Sequence, residues 1–271
     1  MKTDHIKEQP MMVEITKIED EAENIKTFYL DVGLKSKPGQ FVILWIPRLD
    51  EKPFSIGFDN EKELRLTIAK VGEFTSKLFE YKVGDKIGVR GPYGKPFNIE
   101  GLENKKIALV GGGYGAAPLS YLAAELAKNN NEIHFITGAR TENILIYREK
   151  LANSGYNLYY TTDDGSFGTK GFVTTALKKI LEENKMDKIF TVGPEMMMKA
   201  VVELSDEYNV DCDLSLERYM KCGIGVCGVC CVDPIGIRMC KEGPNISKEI
   251  VKKITEFGKY HRDASGKKVY F

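Results

Sequence analysis

The chain has 271 residues, 42% of them hydrophobic and 10% aromatic, a globular composition long enough for two compact domains. Thirty-nine lysines and arginines balance 39 aspartates and glutamates, so there is no basic field to gather nucleic acid or an anionic membrane. The first ten residues have no apolar core and no small-residue cleavage site, and five of the six cysteines crowd into one segment, as cluster- or metal-binding thiols do in a reducing compartment. These features predict a cytoplasmic protein with neither a nucleic-acid nor a membrane partner.

Residues 12–100 read as β-rich. Segments 26–31, 40–45, 64–69 and 86–90 are short and rich in β-branched and aromatic residues, and turn formers such as Pro38, Gly39, Asp59, Asn60, Gly84 and Gly91 bound them. Strands at this spacing predict a small antiparallel β-barrel. The rhythm changes near Asn104. The uncharged stretch 107–124 approaches bilayer length, but four glycines and Pro118 interrupt it, and a strand–turn–helix explains it better. Strands at 132–137, 157–161 and 188–192 then alternate with helices at 118–129, 144–154, 173–184 and 195–208, which predicts a parallel sheet of βαβ units over 101–212. A cysteine segment fills 213–245. In the tail, 246–271, the spacing of Ile250, Val251, Ile254 and Phe257 predicts one amphipathic helix. The fold class is therefore an α+β multidomain chain: an N-terminal antiparallel barrel, a C-terminal parallel α/β nucleotide-binding domain, and a small cysteine segment.

Cys222, Cys227 and Cys230 have the spacing C-x4-C-x2-C, with Cys240 further along. That is the ligand pattern of plant-type [2Fe–2S] clusters, in which one loop supplies three thiolates and a later cysteine closes the site. Gly223, Gly225 and Gly228 suit it, because glycine permits positive φ and lets backbone N–H groups approach the sulfurs. The alternatives are structural zinc, which usually shows C-x2-C pairs, and unrelated buried thiols. Cys231 competes with Cys230 as third ligand, the x2 gap favouring Cys230, and Cys212 reads as a small core residue.

Gly111, Gly113, Tyr114, Gly115 and Ala116 lie between an apolar strand and a helix, the context of a dinucleotide-binding turn, a tight turn for packing alone being the lesser alternative. No acidic residue follows the next strand; Arg140 stands there instead, and would meet a 2′-phosphate or line the groove. Asp163 opens a second glycine-rich turn at the carboxyl edge of the sheet, which is also ordinary loop chemistry. NAD and NADP both remain open.

In order, then, come a barrel, a G-x-G-x-x-P nucleotide domain and a C-terminal cysteine pattern. The chain resembles the ferredoxin–NADP reductase superfamily and, within it, the electron-transfer subunits of dihydroorotate dehydrogenase B and their archaeal and anaerobic relatives, over residues 12–245. The resemblance implies FAD held by an Arg-Pro-x-Ser motif, matched by Lys52, Pro53, Phe54 and Ser55, with the point charge of lysine in place of the arginine fork. It implies a second flavin segment at Thr67, Ile68, Ala69, Gly72, Thr75 and Ser76, with Thr75 and Ser76 donating to the pyrophosphate and Phe74 standing where the family has glycine. Gly193 and Pro194 match the family's nicotinamide-side Gly-Pro turn, and the run from Leu216 to Cys222 matches the approach to its cluster. It further implies NAD(P), electron transfer in pyrimidine biosynthesis with no side chain acting as general acid or base, and an FMN-containing catalytic partner in a heterotetramer. A ferredoxin-, sulfur- or hydrogenase-linked reductase subunit on the same scaffold is the second reading, and a zinc-stapled nucleotide-binding interaction protein the third.

Overall fold

A computed structural model describes residues 9–271; residues 1–8, the start of the stretch read above for a leader, lie outside the described residues. The N-terminal sheet is built from β1 (Met11–Ala22), β2 (Ile25–Leu30), β3 (Phe41–Ile46), β4 (Asp50–Ser55), β5 (Phe58–Asp59), β6 (Leu64–Ala69) and β7 (Lys86–Tyr93), with helix α1 (Glu73–Leu78) between the last two. The strands run antiparallel in the order β4-β3-β7-β1-β2-β6-β5, and β4 comes back against β6, so the sheet curls around one core. Alternation decides which side chains fill it. In β6, Leu64, Leu66 and Ile68 are buried while Arg65, Thr67 and Ala69 are only half-buried on the opposite face. In β3 almost every residue is buried. Its second face is covered by the cysteine segment: Phe41 and Ile43 share a core with Met220, Cys230, Met239 and Cys240. Fully burying a phenylalanine or leucine of this kind contributes about 1.5–3 kcal/mol.

The second sheet contains β8 (Lys106–Gly112), β9 (Glu132–Ala139), β10 (Asn157–Thr162), β11 (Thr169–Lys170), β12 (Lys188–Val192), β13 (Asp211–Ser215) and β16 (Asn245–Ser247), interleaved with α2 (Ala116–Ala127), α3 (Arg148–Ala152), α4 (Val173–Glu183) and α5 (Glu195–Glu207). Its order is β11-β10-β9-β8-β12-β13-β16. All neighbours are parallel except β13 and β16. From β8 the chain moves outward through β9 and β10, then returns to β8's other side as β12. The carboxyl ends of β8 and β12 are therefore a switch point, the place where open α/β sheets bind ligands.

Two sequence expectations change here. The cysteine segment is an insertion between β13 and β16 of one sheet, pinned at its neck by the Leu216 N–H donating to the Pro244 carbonyl at 2.9 Å, so position 213 falls inside a strand. It contains the hairpin β14 (Cys231–Val232) and β15 (Ile237–Arg238). The tail is not one helix. Only α6 (Lys248–Val251) is helical, and a hairpin of β17 (Tyr260–Arg262) and β18 (Lys268–Tyr270) follows. Val251 and Ile254 are buried as the spacing demands, but Glu256 is drawn inward to an arginine and Gly258 adopts φ +66°, so the chain turns away. Among the described residues no helix is long and apolar enough to cross a membrane.

Candidate functional site

A cavity of about 540 Å³ opens where the barrel meets the switch point. Its barrel wall is Lys52, Pro53, Phe54 and Ser55 on β4, Thr67, Ile68 and Ala69 on β6, and Gly72 and Thr75 at the start of α1. The facing wall is Tyr114, Gly115, Pro118 and Val192, and the floor is Ser215, Leu216, Glu217, Arg218 and Met220. Apolar walls with a few convergent polar groups suit a flat aromatic ligand with a polar tail. Of the expected flavin residues only Ser76 is outside the lining, its N–H bonded to the Gly72 carbonyl inside α1. Thr75 lines the wall, and its hydroxyl accepts N–H groups from Val71 and Gly72 at 2.9 and 3.0 Å, so it also caps the helix that starts there. Lys52 pairs with Asp50 and stands 5.8 Å from the Tyr219 ring centroid. Phe74, the family's glycine position, is buried in the barrel core against Phe54.

The glycine turn faces the same cavity through Tyr114 and Gly115. A side chain at Gly115 would come within 2.3 Å of the Val192 carbonyl, so this glycine lets the turn close on β12. Gly111 and Ala116 are buried behind the turn, Gly113 is half-buried, and Gly193 and Pro194 lead into α5 beside Gly112. Arg140 and Asp163 do not reach the cavity. Both are exposed on the carboxyl edge of the sheet, where the Asp163 N–H donates to Ala139 and the Asp164 N–H to Arg140.

Glu217 and Arg218, which carried no assigned role among the motifs above, are central. Glu217 opens into the cavity; the protein crowding around it, and then Glu195, raise its carboxyl above the usual range. Facing it, the Tyr114 hydroxyl is pushed up to about 12, chiefly by the Glu217 charge, while the residue itself stays exposed at the mouth. Arg218 points the other way and is almost wholly buried. Its Nε donates to Glu256 at 2.6 Å, its Nη1 to Glu195 at 2.6 Å and to the Glu217 carbonyl at 2.7 Å. The Gly258 N–H also donates to Glu195, so the tail closes this site from behind.

Two residues beyond Met220 the cysteine loop begins. Cys222 and Cys227 form one side-chain pair, Cys230 and Cys240 another. The Cys227 N–H lies 3.5 Å from Cys222 Sγ, and the Cys240 N–H 3.4 Å from Cys230 Sγ. Burial opposes ionisation of Cys222, but the N–H groups of Cys227, Ile224 and Val226, with the Cys227 side chain, bring its thiol down to about 6. Burial first, then the Cys230 thiol, push Cys240 up to about 12. Among the described residues no three His, Cys, Asp or Glu side chains converge on one metal-ion position. Four thiols arranged two and two, with N–H groups turned toward the sulfurs, fit a binuclear cluster in which each iron takes two thiolates. Gly223 is needed for the loop to pack: its φ is +73° and a side chain would meet Ile43 Cδ1 at 2.5 Å. Cys231 is half-buried at the start of β14, and its Sγ would lie 3.9 Å from a side chain built at Gly228. Cys212 is fully buried in β13, where burial raises its thiol to about 12.

Comparison with known proteins agrees with this arrangement. Residues 217–252 match the iron–sulfur cluster binding domain of dihydroorotate dehydrogenase B, and residues 109–203 an oxidoreductase NAD-binding domain. A protein of Methanocaldococcus jannaschii described as a probable dihydroorotate dehydrogenase B (NAD(+)) electron transfer subunit is 49% identical over 97% of this chain and 100% of that one. Its Methanothermobacter thermautotrophicus counterpart is 42% identical over 96% and 97%. A solved NADH-dependent reduced ferredoxin–NADP oxidoreductase is 32% identical, with a TM-score of 0.80 over 91% of this chain and 94% of that one. Phthalate dioxygenase reductase shares the fold at 18% identity, with a TM-score of 0.63 over 78% of this chain and 70% of that one. With an NAD-binding domain, a cluster-binding domain and near full-length likeness to its relatives, the chain belongs to the electron transfer subunits of dihydroorotate dehydrogenase B.

Proposed function

We propose that Cys222, Cys227, Cys230 and Cys240 hold the [2Fe–2S] cluster, that the cavity holds the flavin of FAD, and that NAD approaches over the glycine turn. The chain would serve a cytoplasmic, FMN-containing dihydroorotate dehydrogenase subunit in a heterotetramer of two subunits of each kind. The observation that carries this reading is continuity: the cavity floor Ser215, Leu216, Glu217, Arg218 and Met220 runs directly into Cys222. When bound, FAD supplies the exchange between hydride pairs and single electrons that links nicotinamide to iron–sulfur chemistry. Lys52 and the apolar faces of Pro53, Phe54 and Ile68 bind and orient the ring system, and Val192, Leu216 and Met220 exclude water from it. Tyr114 covers the mouth on the nicotinamide side. Gly193 and Pro194 hold the start of α5 against the turn, and Arg140 and Asp163 stand further along the sheet edge for the adenosine half. Carboxylates at Asp163 and Asp164 suit a ribose diol better than a 2′-phosphate, which favours NAD over NADP.

Purification under anaerobic conditions, with flavin, iron and acid-labile sulfide assayed together, tests the cofactor assignment. Flavin bands overlapping a broad visible absorbance, and about two irons per chain, are expected; a colourless protein or one holding zinc would end the reading. The likeness to the ferredoxin–NADP oxidoreductase favours a ferredoxin-linked reductase as the second reading. Co-expression with the dihydroorotate-oxidising subunit decides between them: a stable complex reducing NAD with dihydroorotate supports the first, and ferredoxin reduction without complex formation supports the second.

A further inference from the structure

Arg90 lies on β7, in the barrel, far in sequence from the cysteines, and it is one of the few buried arginines. Its Nη1 donates to the backbone carbonyl of Cys222 at 2.7 Å and to the Tyr93 hydroxyl at 3.2 Å, and its Nη2 to the Lys221 carbonyl at 3.3 Å. On the other side the guanidinium is forked by both carboxylate oxygens of Glu51. Glu51 is the residue before Lys52, on the strand that lines the flavin cavity. One side chain thus ties that strand to the first cysteine of the loop.

We propose that Arg90 is a positioning residue for the cluster, fixing the Cys222 loop to the flavin-bearing strand and, as a buried cation, raising the cluster's reduction potential. This rests on the assignment of the four cysteines above. Reduction adds negative charge to the cluster, and a positive group close by favours the reduced form. Burial matters because water and salt screen an exposed charge far more. Arg90's side chain is 7% exposed, and the Glu51 carboxylate, which opposes it, sits on the far side of the guanidinium and is 34% exposed. A second arginine provides the contrast. Arg238 donates from Nη1 to the Gly225 carbonyl at 2.7 Å, but its side chain is 39% exposed and paired with Glu242.

The test is a potentiometric titration of the full-length holoprotein, with the reduced cluster followed by electron paramagnetic resonance and FAD followed optically in the same sample. Iron and flavin are assayed first, so a wild-type protein without a cluster fails the cofactor assignment and not this inference. Arg90→Gln is expected to lower the cluster potential, Arg90→Lys to restore part of the loss, and Arg238→Gln to shift it less than Arg90→Gln. Glu51→Gln, which leaves the Arg90 charge uncompensated, is expected to raise it. A fully loaded Arg90→Gln protein with the wild-type cluster potential would overturn the proposal. If Arg90→Gln does not load iron, Glu51→Gln decides: a raised cluster potential supports the proposal, and an unchanged or lowered one overturns it.

Discussion

Arg218 brings together carboxylates from two distant parts of the chain, Glu195 at the start of α5 and Glu256 in the tail, with all three side chains 7% exposed or less. One cation between two anions leaves a net negative charge in the interior, and Glu256 Oε2 has no hydrogen-bond partner among the described residues. Removing the cation would leave two buried carboxylates uncompensated, so Arg218→Met is expected to cost about 3–5 kcal/mol of stability. Glu256→Gln keeps an acceptor for Nε and relieves the excess charge; its cost is expected near 1 kcal/mol. Denaturant titration of both variants measures the difference, and equal costs would mean the burial of charge is not what stabilises this junction. The same scale separates two neighbouring thiols. Cys230 is 2% exposed and its sulfur faces the Cys240 N–H, whereas Cys231 is only half-buried in β14. Cys230→Ser is expected to lose cluster iron and Cys231→Ser to keep it, as read by iron content and visible absorbance; the reverse result would exchange the ligand assignment.

At the scale of elements, the parallel sheet is fastened to the barrel by α3 and its lead-in. Tyr147, with φ +65°, hydrogen-bonds Thr67 across the junction at 2.6 Å, and Lys150 reaches Glu19 and Glu21 on β1. Lys150 first, then Lys17 and Tyr29, hold the Glu19 carboxyl down to about 2. A depressed carboxylate contributes stability in full above its ordinary value near 4.5 and loses it as pH falls toward 2. Wild type is therefore expected to lose about 1 kcal/mol more than Glu19→Gln across that window, a figure kept small because the pair is partly solvated. Acid titration of unfolding free energy checks it; parallel curves for the two proteins would remove the latch from the account. How much of this could be read in advance depends on periodicity and spacing. The β-branched residues of segment 64–69 between turn formers marked β6, and the C-x4-C-x2-C spacing marked the loop, because both are local patterns. The latch, the Arg218 junction and the return of β16 to β13 join residues many positions apart, and no local pattern encodes such pairings. Glu217 and Arg218 stood in the run leading to Cys222, so their place was legible but their opposite orientations were not. The tail misled because Val251 and Ile254 follow helical spacing while the inward pull on Glu256 comes from another element.

Across the whole molecule all three parts contribute walls to the cavity: Lys52 and Thr67 from the barrel, Tyr114 and Val192 from the parallel sheet, and Leu216 and Met220 from the approach to the cysteines. A ligand seated there is linked to the folding of each. Anything that binds only the folded state stabilises it by RT ln(1 + [L]/Kd), about 2.7 kcal/mol at a hundredfold excess over Kd. FAD removal is therefore expected to lower the melting temperature of the barrel and the parallel sheet together, and hydrogen exchange is expected to speed up in β6, at Gly115 and in residues 215–220 in the same sample. The direction follows from the lining, since a ligand in the cavity contacts residues of all three walls at once. Protection lost from the barrel alone would mean that the flavin rests on one wall, and the floor leading to Cys222 would then be a packing surface and not part of the binding site.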